Sequence, residues 1–172
     1  PMFASPCDTA ARPLCELYAV DACLHRIACQ TGPGPATKAL QAHLAAGGRR
    51  LRAAMALRAA DGLAVDGVAL ATATEALHQA SLIHDDIADG SPERRGAPTI
   101  RAAHGVNCAL ACGDLMISGA YAELAACGPR AGALVAQAHR AVAGTVRGQC
   151  ADLAPGSDRA DRQTWLGVAR RK

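Results

Sequence analysis

The sequence predicts an all-α chain, and three observations predict it. The 172 residues are 51% hydrophobic but only 2% aromatic, so a core must be filled by Ala, Leu, Val and Ile. Alanine is the best helix former and lets neighbouring backbones approach closely. Apolar residues also recur every three or four positions through most of the chain, the period of an amphipathic helix. No stretch of useful length alternates apolar and polar residues as a half-buried strand would. The length suits one domain with its own core, so residues 1–172 read as a single domain.

The elements follow in chain order. Leu14, Leu17, Tyr18, Leu24 and Ile27 share one face of a helix from about Pro13 to Gln30. The stretch TGPGP, Thr31 to Pro35, breaks it. A second helix runs from about Ala36 to Ala46 and stops at Gly47-Gly48, a glycine termination signal. A third begins in RRLRAAMALRAADG and ends near Gly62. The fourth, Val68 to Ala88, is long and is followed by the loop DGSPERRGAPT. Two or three more helices follow, with breaks around Gly128-Pro129 and Pro155-Gly156. The charged motifs therefore fall at helix ends or along one helix face.

Composition narrows the function. A formal charge of +3, with no basic tail and no basic patch interleaved with aromatics, argues against a nucleic-acid partner. No uninterrupted apolar run approaches the roughly 20 residues of a membrane span. The opening PMFASPCDTAARP has prolines and an aspartate where a signal peptide needs an apolar segment, so a cytoplasmic protein is expected. The 8 cysteines form no C-x-x-C pair, which removes the usual zinc and redox spacings. They are expected to be reduced and to pack in the core as small hydrophobes.

The chemistry concentrates in two places. On the fourth helix His78, Leu82, Asp85 and Asp89 form one stripe, with Asp86 beside it. Carboxylates one turn apart suit magnesium, a hard cation that binds through one or two carboxylates plus substrate phosphate oxygens. A solvated acidic helix end has the same spacing. The preceding run ALHQASLIH favours the mouth of a cavity, because the acidic cluster continues directly from an apolar helix.

The second place is arginine-rich. Arg94 and Arg95 lie in a loop held by Pro92 and Gly96, while Gly47-Gly48 precedes Arg49, Arg50 and Arg52. Arg49 and Arg52, spaced i and i+3, are expected to share a face in a first helical turn, where unpaired backbone N–H groups favour anions. Forked guanidinium donors at such a turn suit phosphate oxygens. Either arginine group alone is matched by ordinary surface charge. No GxxxxGK[ST] run exists, so nucleotide binding is unsupported. A diphosphate reconciles the two signs: magnesium bridges it to the aspartates and the arginines hold it directly, so the opposite charges need not pair with each other.

Taken together, GGRRLR, then EALHQASLIHDDIADGSPERRGAPTIRAAHGVNCALACGDLMISGAY, then GQCADL resemble the trans-polyprenyl diphosphate synthases, from about Ala36 to Lys172. The resemblance implies antiparallel helices around a central apolar cavity (the isoprenoid synthase type), usually as a homodimer. It implies a prenyltransferase that uses Mg2+ to condense isopentenyl diphosphate with an allylic diphosphate. In that reading Asp85 and Asp89 are the magnesium ligands, Asp86 supports them, and Arg94 holds the allylic diphosphate. Arg49, Arg52, His78 and Arg95 hold isopentenyl diphosphate, and Gln149 and Asp152 face the cavity. Lys172 corresponds to a lysine that contacts the allylic diphosphate. Ala80 and Ser81, about one turn before Asp85, are small, so the product is expected to be geranylgeranyl or longer, with Leu77 and Thr74 as deeper floors.

The sequence departs from the family pattern in places. Arg49 stands where lysine is usual, and Ala53 where proline is common. A second aspartate-rich motif is not found; Asp158 and Asp161 lie in PGSDRAD, at the wrong position. The expectation is a chain lacking its C-terminal half, inactive alone. Two rival readings stay open: a non-catalytic regulatory subunit of a heteromeric synthase, and a terpene cyclase. The intact Asp85–Asp89 motif argues against the first. The paired arginines argue against the second, because a cyclase has no second diphosphate to hold.

Overall fold

A computed structural model describes residues 6–152 and bears out the all-α expectation. Helices α1 (Pro6–Ala28), α2 (Pro35–Ala45), α3 (Leu51–Ala60), α4 (Gly67–Ala88), α5 (Ile100–His104), α6 (Val106–Ala125) and α7 (Ala131–Asp152) follow in order. Short 3-10 turns at Cys29–Thr31 and Gly128–Arg130 occupy two of the expected breaks. Two compact units divide between Ala131 and Gly132, and α7 lies almost wholly in the second.

Local chemistry sets the boundaries. Pro35 opens α2 at a position where its missing N–H costs nothing. The Asp66 carboxylate accepts the backbone N–H of Ala69 at 3.0 Å and caps α4. Thr99 does the same for α5 through the N–H of Ala102. The stretch expected to be a plain loop holds a small antiparallel hairpin, β1 (Glu93–Arg94) and β2 (Ala97–Pro98), with Arg94 opposite Ala97. Arg95 and Gly96, both at positive φ (54° and 77°), form its two-residue turn of type I′, whose twist matches the strands.

Within the first unit α4 packs most extensively on α6, with α3 and α1 beside it. Val20, Leu24, Ile27, Leu40, Ile83 and Met116 are each at most 1% exposed. Burial of such a side chain is worth about 1.5–3 kcal/mol. Glycines on α6 allow the close approach. A Cβ on Gly113 would collide with the His84 ring, and one on Gly119 would stand 2.5 Å from Ile27 Cγ2. Although α6 is long and apolar enough to cross a membrane by length and composition, its buried side serves the core through Cys112, Met116 and Ala120. The cysteine expectation needs correction: among the seven cysteines whose side chains are described, all free, Cys112 and Cys127 are buried, while Cys15, Cys29 and Cys150 are exposed. The exposed ones lie on outward helix positions or at a helix end, which a count without facing could not reveal.

Candidate active site

The acidic motif occupies the last turn and a half of α4 and splits by depth. Asp86 is 2% exposed, Asp85 is half-buried, and Asp89, the C-cap residue, is exposed. The buried carboxylate takes a direct partner. Arg94 Nε donates to both Asp86 oxygens at 3.0 Å, and Nη2 donates to Oδ1 at 2.7 Å. The opposite charges, which need not pair if they share a diphosphate, do pair at this one point. A carboxylate withdrawn from water is costly unless it is hydrogen-bonded and neutralised, and the hairpin delivers the nearest guanidinium. These hydrogen bonds raise the Arg94 pKa further, outweighing partial burial, and Asp85 and Asp89 add to the same field.

The glycine-arginine turn is also built differently from the expected helical turn. Gly47 and Gly48 lie at φ 82° and 153°, Arg50 follows at φ 46°, and α3 begins only at Leu51. Arg49 is therefore outside the helix, exposed, and not in i, i+3 register with Arg52. The physical reason is Arg50, which turns inward. Its Nε donates to Asp21 Oδ1 at 2.8 Å, Nη1 to Glu75 Oε1 at 3.3 Å, and Nη2 to the Leu44 carbonyl at 3.3 Å. Arg52, on α3, donates from Nη1 to His78 Nε2 at 3.1 Å. Arginine has only donors, so that histidine nitrogen is the acceptor and the ring is neutral with its proton on Nδ1. The His78 pKa is lowered in keeping with this, first by burial and then by the Arg52 guanidinium.

The two basic turns meet. The Arg95 guanidinium lies against Gly48, where an added Cβ would stand 2.8 Å from Nη1. A cleft of about 150 Å³ runs beside them between α2, the hairpin and α5, lined in part by His43, Ala46, Arg94, Arg95 and His104. The site thus joins Arg94 with Asp86, Arg52 with His78, and Arg95 with the Gly47–Gly48 turn. Leu77 and Ser81, before Asp85 on α4, are half-buried, whereas Ala80 is 1% exposed. Ser81 Oγ donates to the His78 carbonyl at 2.8 Å, and Thr74 Oγ1 to that of Leu70 at the same length. Gln149 lies on α7 in the second unit. Lys172 is outside the described residues, as is the side chain of Asp152.

Sequence reasoning missed a buried polar chain behind these residues. His43 Nε2 and Gln79 Oε1 are 3.0 Å apart, and Gln79 Nε2 donates to Glu75 Oε1 at 2.7 Å, which also receives Arg50. Glu75 and Gln79 are 3% and 1% exposed. The available signal was their i, i+4 spacing within an apolar helix, since buried polar residues demand partners.

No group of three or more His, Cys, Asp or Glu side chains among the described residues is arranged to cage a metal. Asp85 on α4 and Asp89 at its C-cap are the motif's other two carboxylates. That donor set fits magnesium held jointly with substrate oxygens and water, not an ion enclosed by these residues alone.

The chain is similar to known proteins in sequence and in fold. The model of the polyprenyl synthetase family matches residues 35–172. The chain is 36% identical over 111 residues to a (2E,6E)-farnesyl diphosphate synthase of Mycobacterium tuberculosis, covering 62% of this chain and 31% of that protein. It is 37% identical over 126 residues to heptaprenyl diphosphate synthase component 2 of Geobacillus stearothermophilus, covering 71% and 39%. The crystal structure of a geranylgeranyl pyrophosphate synthetase from Pyrococcus horikoshii superposes with a TM-score of 0.82 at 26% identity, covering 94% of this chain and 52% of that one. The chain thus spans about a third of the curated relatives' length and about half of the solved ones.

Proposed function

The chain belongs to the polyprenyl synthetase family, and from that premise we propose that it forms part of a trans-prenyl diphosphate synthase joining isopentenyl diphosphate to an allylic diphosphate. The observation that carries the proposal is the meeting of the two basic turns at Gly48, with Arg94 in the field of Asp85 and Asp89. That convergence suits two diphosphates lying side by side. Asp85 and Asp89 would hold magnesium together with the allylic diphosphate, and the ion, when bound, neutralises the departing charge. Asp86 engages Arg94 Nε and Nη2, which leaves Nη1 for a phosphate oxygen. Arg49, Arg52 and Arg95 hold isopentenyl diphosphate, with the neutral His78 ring fixed by Arg52. Small Ser81 and half-buried Leu77, upstream of the carboxylates, leave room for a geranylgeranyl or longer chain.

The test uses the intact protein with isopentenyl diphosphate, geranyl diphosphate and magnesium. Asp89→Ala and Arg94→Ala are each expected to lower kcat/KM by about 100-fold or more, the usual scale for removing a group that stabilises developing charge. Turnover that persists in excess chelator, or is indifferent to both variants, would rule the reading out. The relative named as a component 2 favours a second arrangement, in which this chain acts with an unlike subunit rather than as a homodimer. Light scattering of the purified protein, alone and beside its co-expressed partners, separates the two.

A further inference from the structure

Arg50 and Arg95 are the non-glycine residues at positive φ among the described residues, and each lies in one of the two basic turns. Such a conformation is unfavourable for a residue with a side chain and persists only where the surroundings enforce it. At Arg50 the enforcement is visible. Its guanidinium grips α1 through Asp21, α4 through Glu75, and the end of α2 through the Leu44 carbonyl. The side chain is 11% exposed and Glu75 is 4%, so the grip is largely shielded from water. Glu75 is held in turn by Gln79, which faces His43 of α2 across 3.0 Å. Arg50 thus ties the turn to α1, α2 and α4, and none of these partners is among the residues assigned to either diphosphate.

We propose that Arg50, Glu75 and Gln79 form a positioning clamp that sets the affinity of the glycine-arginine turn for isopentenyl diphosphate. The inference rests on the reading of Arg49, Arg52 and Arg95 as the holders of that diphosphate. With Arg50 drawn inward, its neighbours Arg49 and Arg52 are placed on the outer side, and Gly48 is set under the Arg95 guanidinium. Arg50 forks to three partners on three elements, which a lysine ammonium cannot match. Glycine at the same position would relieve the backbone but release the grip.

Four variants of the intact protein test this: Glu75→Gln, Arg50→Lys, Arg50→Gly and Arg52→Ala. The three clamp variants are expected to raise the KM for isopentenyl diphosphate by about tenfold, with kcat at saturation and the allylic KM within twofold of wild type. They should also speed amide hydrogen exchange at residues 48–52 by about tenfold, a readout that needs no turnover. Asp21→Asn, at a partner whose side chain is 41% exposed, should shift both quantities less. It serves where an Arg50 variant does not fold. Unchanged exchange at 48–52, or a fall in kcat alongside both KM values, overturns the clamp. An isopentenyl KM unmoved by Arg52→Ala would instead overturn the assignment of the turn, whatever the clamp variants show.

Discussion

At Gly48 the backbone runs at φ 153° and the Arg95 guanidinium occupies the space beside a missing side chain. Alanine there would press its Cβ to within 2.8 Å of Nη1 and strain the backbone by about 1 kcal/mol. The guanidinium is the mobile end of its side chain, so it would move before the fold does. Gly48→Ala is therefore expected to cost little stability but to raise the KM for isopentenyl diphosphate about tenfold, the scale of one misplaced charge-assisted hydrogen bond. Steady-state kinetics beside thermal melting check both halves. The histidines set an acid limit. Burial lowers the His43 pKa below its ordinary 6.5, with the Gln79 hydrogen bond opposing, and burial and Arg52 lower that of His78. Below about pH 6.5 the unfolded chain thus binds protons that the native state refuses, so stability is full above that value and falls as pH drops through the window beneath it. A Tm flat from about pH 7 to 8 and falling under pH 6.5, with a shallower fall in His43→Gln, is the expected outcome. Of these residues His78, Asp85, Asp86, Asp89 and the arginines stood out in the sequence by type and spacing. His43 and Gln79 did not, because their significance lies in facing each other from α2 and α4.

Helix ends and helix contacts are the next scale. The glycine stop at Gly47-Gly48 was readable because it acts within a few residues of itself, and α2 ends where it points, whereas the caps at Asp66 and Thr99 and the hairpin went unread. The start of α3 was not readable, since Arg50 breaks the helical pattern to reach Asp21 and Glu75 on other elements. Packing on α6 yields a clear prediction. Gly119→Ala adds a methyl carbon 2.5 Å from Ile27 Cγ2 and 2.9 Å from Cδ1. Overpacking costs about 1–3 kcal/mol, and alanine returns about 1 through helix propensity, leaving a net loss of about 1 kcal/mol. Urea unfolding measures it. Asp66→Ala removes the cap on Ala69 N–H and should cost about 1 kcal/mol by the same measurement.

At the scale of the whole molecule, the proposed cavity makes product length the decisive observable. Ser81→Phe in the intact protein is expected to shorten the main product by at least one isoprene unit, read by chromatography of the dephosphorylated products. Unchanged length would remove Ser81 from the wall. Ala80→Phe tests something else: Ala80 is 1% exposed, so phenylalanine there should lower stability by about 1–3 kcal/mol before it affects length. By itself the sequence determined the helical class, several helix ends and the two charged motifs, because period, glycine breaks and spacing are set by neighbours a few residues away. Only the tertiary structure decided that Arg50 rather than Arg49 turns inward, that Asp86 is neutralised by Arg94, and that Arg95 reaches Gly48. Those outcomes depend on which buried charge finds a partner when distant segments pack, and residues 29 and 36 apart, as in Arg50–Asp21 and His43–Gln79, meet only then.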